Sequence, residues 1–278
     1  MKIGSVSINV LSDGTLMTDG GALFGPVPKQ QWEQFLKPDR RNRVKIAVNS
    51  LLIQSGNQNI LVDSGIGIKN TAKYKDLYSL NGNKLIKSLK SYGLTARDID
   101  IVILTSLQYM QAGGCTKLDR SGSVVPTFQK AKHIVQKSNW EVGNNPDERS
   151  IGLFNQDDFV PLMEGGQIEL VEGDQEVISG INVKVTDGPV IGHQIVMIDA
   201  GSERIGYLGN LIPTPHHLPL AAISAVDQHP QNTLDFKRQT INNAIESGWL
   251  LVFGNALEDQ AGYIGARNGR NSFTPRDL

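Results

Sequence analysis

With 278 residues, 39% of them hydrophobic, the chain holds enough apolar material for a substantial buried core. Its 27 basic residues against 28 acidic ones exclude the basic excess of a nucleic-acid or anionic-membrane binder, and no like-charge block marks an interaction tail. A single cysteine, Cys115, excludes an internal disulfide and a Cys-rich zinc site, and no run approaches the ~18 consecutive apolar residues of a membrane span.

The opening Met1-Lys2-Ile3-Gly4-Ser5 carries neither an apolar signal core nor an Arg/Ser-rich transit pattern, so a soluble, cytoplasmic protein is expected. Ile3 to Leu11 alternates apolar and polar residues, the pattern of a half-buried strand, and Asp13-Gly14 then reads as a turn. Gly20-Gly21 to Pro28 is loop-like, and Lys29 to Leu36 reads as a short helix stopped before Pro38, because a residue preceding proline avoids helical angles. Strands Ile46 to Gln54 and Asn59 to Val62 flank the hairpin turn Ser55-Gly56-Asn57-Gln58. Asn83 to Tyr92 has apolar residues at helical intervals with Gly93 as C-cap, and Thr95 N-caps a short turn before the buried strand Ile99 to Leu104.

The second half predicts strands at Lys132 to Gln136, Gln167 to Val171, Ile181 to Thr186, His193 to Asp199, Arg204 to Leu208 and Trp249 to Phe253. Helices fall at Ser138 to Gly143 and Thr233 to Ser247, the latter closing at Gly248, and the polar tail from Asn268 to Leu278 is expected to fray. Dominant strands with interspersed helices suit an α/β protein of two packed sheets with helices outside. Without a repeat, low-complexity tract or linker, one domain spanning 1–278 is expected.

One segment frames the function. Ile103-Leu104-Thr105-Ser106-Leu107-Gln108-Tyr109-Met110-Gln111-Ala112-Gly113-Gly114 resembles the signature loop of the metallo-β-lactamase superfamily, a strand followed by T-H-x-H-x-D-H-x-G-G. The apolar strand, Thr105 and Gly113-Gly114 match that frame, whereas the His and Asp positions read Ser106, Gln108, Gln111 and Met110. Further segments are similar to the branch related to N-acyl-homoserine lactonases. These are Gly20 to Pro28 with Trp32, Leu61-Val62-Asp63-Ser64-Gly65-Ile66-Gly67, Gly188 to Gln194, Tyr207-Leu208-Gly209-Asn210-Leu211 and Phe253-Gly254-Asn255. The likeness covers almost the whole chain and implies an αββα sandwich of two mixed sheets flanked by helices.

The resemblance places the family's metal ligands at Ser106, Gln108, Met110, Gln111, Pro189, Asn210 and Asn255. None is an imidazole, a thiolate or a carboxylate. Hydrolytic zinc needs about three such ligands and an open position for water, and a metal pair needs bridging anions. No metal and no other cofactor is therefore expected. Of the five histidines, His193 matches a position beside the family's site, and the adjacent His216 and His217 point apart rather than onto one ion.

Asp63 is the surviving acid nearest the implied site. Holding the 105–114 loop through its backbone is the stronger reading, with a catalytic base as the alternative. Tyr109 is read as a packing residue, and Cys115 as a small buried thiol. Ser106 sits in no nucleophile elbow, which argues against a serine hydrolase. The leading expectation is a metal-free, non-hydrolytic protein that binds a small molecule or a protein partner in or near the former metal cleft, without nucleic acid or membrane. A metal-independent enzyme acting on an ester, lactone or thioester, with Asp63, Tyr109 and His193 as acid–base groups, is the first alternative. A structural subunit used for assembly is the second. The oligomeric state is open.

Overall fold

The structure, a computed structural model, describes residues 1–4, 6–267 and 270–278. It divides into two compact units, Met1–Leu16 with Val48–Gly173 and Met17–Ala47 with Asp174–Leu278. The strands in chain order begin with β1 (Lys2–Ile3), β2 (Val6–Asp19), β3 (Arg43–Ser55), β4 (Gln58–Val62) and β5 (Ile101–Ile103). There follow β6 (Thr116–Leu118), β7 (Val124–Pro126), β8 (Lys132–Gln136) and β9 (Ile168–Val171). A seven-stranded sheet runs β1-β2-β3-β4-β5-β8-β9, and β6 with β7 forms a separate hairpin. β3 and β4 are antiparallel, while β4, β5, β8 and β9 are parallel, so the sheet is mixed. Parallel strands are covered on both faces, which is why Ile101-Val102-Ile103 is an unbroken apolar run.

The remaining strands are β10 (Gln175–Ile178), β11 (Ile181–Val185), β12 (Gln194–Asp199), β13 (Arg204–Tyr207), β14 (Leu250–Val252), β15 (Ala261–Arg267) and β16 (Arg270–Pro275). They form a second seven-stranded sheet in simple sequence order, antiparallel except where β13 pairs with β14. The helices are α1 (Gly20–Phe24), α2 (Lys29–Trp32), α3 (Thr71–Tyr78), α4 (Leu85–Ser91), α5 (Tyr109–Ala112), α6 (Lys137–Asn144), α7 (Val160–Glu164) and α8 (Pro230–Ser247). The fold is thus α/β with two large mixed sheets and helices, the class predicted.

Each unit has its own apolar core. In the first, Leu52, Leu61 and Val102 of the sheet meet Leu85 and Leu89 of α4 and Phe159 and Leu162 at α7. In the second, Ile195, Met197 and Leu251 meet Ile241 and Ala244, three residues apart and so on one face of α8. Among the described residues no helix is long and apolar enough to cross a membrane.

Three local expectations are corrected. Asp13-Gly14 does not turn the chain, because β2 runs straight through it. Gly14 has φ +128°, and a Cβ there would stand 2.0 Å from the Asn81 carbonyl oxygen, so glycine permits a close backbone approach inside the strand. Residues 20–24 are a helix rather than a loop, started by the Asp19 carboxylate accepting the Ala22 N–H. The tail does not fray over Arg270–Pro275, where β16 pairs with β15. Ser5 in the predicted first strand and Asn268-Gly269 in the predicted tail lie outside the described residues.

Candidate functional site

In the first unit, hydrogen bonds from the end of β4 and the turn after it hold the 105–115 loop. Asp63, at the end of β4 with φ +58°, accepts the Thr105 N–H at 2.8 Å and the Thr105 hydroxyl at 3.0 and 2.9 Å. Ser64 donates its N–H (2.7 Å) and its hydroxyl (2.8 Å) to the Gln111 carbonyl, and Gly114 N–H reaches Gly65 O at 3.0 Å. The two glycines lie flat on the preceding turn, since a Cβ on Gly114 would meet Ser64 O at 2.0 Å and one on Gly113 would meet Ile66 O at 2.3 Å. Ser106, Gln108 and Gln111 are buried and Met110 is half-buried. Leu107 N–H is held by Asn139 Oδ1 at 2.7 Å. Cys115 is fully buried, 3.2 Å from the Ser64 hydroxyl, and burial pushes its thiol up to about 12, far from a reactive thiolate.

Tyr109 stacks on Tyr74 (centroids 4.8 Å) and Tyr78 (5.9 Å), and burial pushes its phenol well above the usual range. A phenol so placed supplies aromatic surface and not a titrating proton. Tyr74 and Tyr78 escaped the sequence reading, although their i, i+4 spacing on α3 was the signal. Two more anchors were missed. Asp13 accepts backbone N–H groups of Ile66, Gly67, Lys84 and Leu85 (2.9–3.2 Å), and Lys69 pairs with Asp158 at 3.0 Å in near-complete burial. Both join residues far apart in sequence, which no local pattern announces.

The second unit holds Pro189, Asn210 and Asn255. His193 is fully buried between two partners. Its Nε2 accepts the Asn210 N–H at 3.1 Å, so Nδ1 carries the ring proton and donates it to the Thr186 hydroxyl at 2.7 Å. Burial lowers its pKa to about 3, so the ring is neutral with both nitrogens engaged. Pro189 is buried and its carbonyl accepts the Gln228 N–H at 3.1 Å. Asn255 donates Nδ2 to Ala47 O at 2.8 Å and exchanges backbone bonds with Ala47 and Pro213. His217 stacks on Phe24 and bonds Thr214 Oγ1 and Leu23 O, whereas His216 stacks on Phe35. The two rings are thereby committed to different partners.

The donor set does not fit the family's cations. The ligand positions supply one hydroxyl, four neutral amides, one thioether and one proline, none of which offers the negative charge or imidazole nitrogen that divalent zinc, iron or manganese requires. Among the described residues no three His, Cys, Asp or Glu side chains gather where they could hold a metal ion.

Two large mixed sheets with flanking helices, and a strand–loop built on Asp63, Thr105 and Gly113-Gly114, define a class of fold. The chain belongs to the metallo-beta-lactamase superfamily, whose model matches residues 44–247. A probable metal-dependent hydrolase from Staphylococcus aureus is similar over 100% of this chain and 99% of its own, with 28% identity and a TM-score of 0.91. AidC, a dizinc quorum-quenching lactonase, is similar over 100% and 97% with a TM-score of 0.81. An N-acyl homoserine lactone hydrolase with product bound at its catalytic metal centre is similar over 93% and 95% with a TM-score of 0.70. At 18% identity the latter two establish the fold alone. No curated protein matches the sequence.

Proposed function

We propose that this chain is a metal-free, non-hydrolytic member of its superfamily, a cytoplasmic protein that binds a small molecule or a protein partner through the residues at the family's ligand positions. The observation that carries this reading is that the acids were exchanged together with the histidines. Met110 and Asn210 stand where the family has aspartates. Losing only the imidazoles would leave carboxylates buried without a cation, a costly state. Neutralising every position removes that cost and leaves amide side chains, groups that donate and accept hydrogen bonds to carbonyl and hydroxyl ligands.

Hydrolysis by analogy with the similar hydrolases fails at these residues, and a shared fold does not supply an activity. The metal-independent alternative is also weakly supported. Asp63 is bonded to Thr105, Tyr109 is stacked among tyrosines, and His193 has both nitrogens bonded. Elemental analysis of protein purified without chelators tests the proposal. The expected metal content is far below one equivalent, and stoichiometric zinc, iron or manganese overturns it. Turnover of esters or lactones that survives a chelator would overturn the non-hydrolytic half.

A further inference from the structure

Within the second unit lies a cavity of about 280 Å³ to which Asn255 contributes. That size sits at the small end of ligand pockets and suits a molecule smaller than a typical drug. Its apolar lining is Phe35, Leu36, Ile46 and Leu257. The His216 ring stacks on Phe35 with centroids 4.6 Å apart, so the two rings enter the lining as one aromatic pair. Charge enters from two places: Lys45 on β3, and the consecutive acids Glu258 and Asp259 in the loop after β14. Asp259 has φ +52° and lies close enough to His216 to oppose the lowering of that ring's pKa by burial.

These features discriminate among ligand classes. Two carboxylates against one ammonium disfavour a phosphate or another plain anion. His216, Glu258 and Asp259 do not converge as a metal-binding trio among the described residues. A purely apolar guest would use Phe35, Leu36, Ile46 and Leu257 and draw nothing from Lys45, Glu258 and Asp259, which stand exposed to water beside them. A molecule bearing one cation, one anion and an apolar body matches all three surfaces.

The geometry points to a binding site for a free α-amino acid with a large apolar side chain, such as leucine or phenylalanine. Its ammonium faces Glu258 and Asp259, its carboxylate faces Lys45, and its side chain lies on Phe35 and His216. Asn255 is the family's ligand position that lines this cavity, and the assignment rests on the reading given above that such positions serve a ligand and not a metal.

Isothermal titration calorimetry of the full chain with L-leucine and L-phenylalanine provides the test, with N-acetyl-L-leucine, leucinamide and glycine as controls. One-site binding of leucine or phenylalanine is expected. Loss of at least about tenfold in affinity should follow when the ammonium is acetylated, when the carboxylate is amidated, or when the apolar side chain is absent. Asp259→Asn and Lys45→Met should each weaken binding by about tenfold. Asparagine is at home at positive φ, and methionine keeps the lysine's apolar stem, so neither change disturbs the backbone. Thermal unfolding of both variants checks that they are folded. Absence of saturable heat with either amino acid overturns the proposal, as does undiminished binding in both folded variants. Stoichiometric metal in the purified protein would instead sink the metal-free reading, whatever the calorimeter records, so the two failures are told apart.

Discussion

Lys69 carries more of the first unit than its single charge suggests. Its ammonium donates to Gly113 O at 2.8 Å, Thr116 O at 2.9 Å and the Thr116 hydroxyl, and it pairs with Asp158 with side-chain exposures of 5% and 2%. Burial raises the Asp158 pKa, and Lys69 pulls against that rise through its charge and its hydrogen bond. Replacing one partner of a buried pair strands the other, at a cost of about 3–5 kcal/mol. Lys69→Met should therefore destabilise by that amount in urea unfolding, and Lys69→Met/Asp158→Leu should recover part of the loss. A double variant as unstable as the sum of both singles would show that the pair does not act as one. Asp63 admits a cleaner substitution, because Asp63→Asn retains a residue that tolerates φ +58° and one acceptor for the Thr105 N–H. Stability should fall by about 1–2 kcal/mol, with faster hydrogen exchange across 105–115. Unchanged stability, together with loss of some chelator-resistant turnover, would instead make Asp63 a catalytic base.

At the level of elements, the loop that follows β5 keeps its shape through backbone-to-backbone fit. Gly114→Ala forces a Cβ to within 2.0 Å of a carbonyl oxygen that belongs to a buried turn and has no room to yield. A loss of about 1–3 kcal/mol is expected in chemical denaturation, whereas Gly152→Ala, with open space around it, should be near neutral. Equal effects at the two sites would refute this account of the glycine pair. The same contrast explains which elements were legible in the sequence. Lys132–Gln136 was found residue for residue, and β12 and β13 within a residue, because their apolar runs are bounded by turn residues. β16 was missed because Arg270–Pro275 has little apolar content and owes its strand form to pairing with β15. Asp13 was read as a turn residue because aspartate before glycine usually is one, and only the fold reveals four backbone donors around its carboxylate. The family was legible because the frame of the 103–114 segment survives in its apolar strand, Thr105 and Gly113-Gly114. The cavity at Asn255 was not, since its lining comes from three separated stretches, 35–46, 214–216 and 255–259.

Across the molecule, buried histidines distribute acid sensitivity unevenly. His193 and His217, both in the second unit, are lowered to about 3 by burial, and His133 in the first unit to about 4. Unfolding returns each to an ordinary pKa of roughly 6.5. Between those values the unfolded chain binds more protons than the native one, so stability falls as pH drops below 6.5. In the first unit, burial raises Asp13 and Asp158, whose native forms hold protons above the ordinary carboxylate range and so work in the opposite direction. Lys237, in the second unit, is lowered to about 7 by burial. Its unfolded form holds the proton up to roughly 10.5, so its contribution to stability rises between pH 7 and that value. The second unit should thus lose stability on acidification first and gain it toward alkaline pH. Each histidine nears a slope of about 1.4 kcal/mol per pH unit only below the unfolded pKa, so the two together amount to about 3 kcal/mol between pH 6.5 and 5. Hydrogen exchange by mass spectrometry, corrected for intrinsic rates, should show opening at pH 5 in peptides of α8, β12 and β13 before those of β4, β5 and β8. The double variant His193→Gln/His217→Gln should flatten that pH dependence. Earlier opening of β4, β5 and β8, or an unchanged slope in the double variant, would place the acid-labile groups elsewhere.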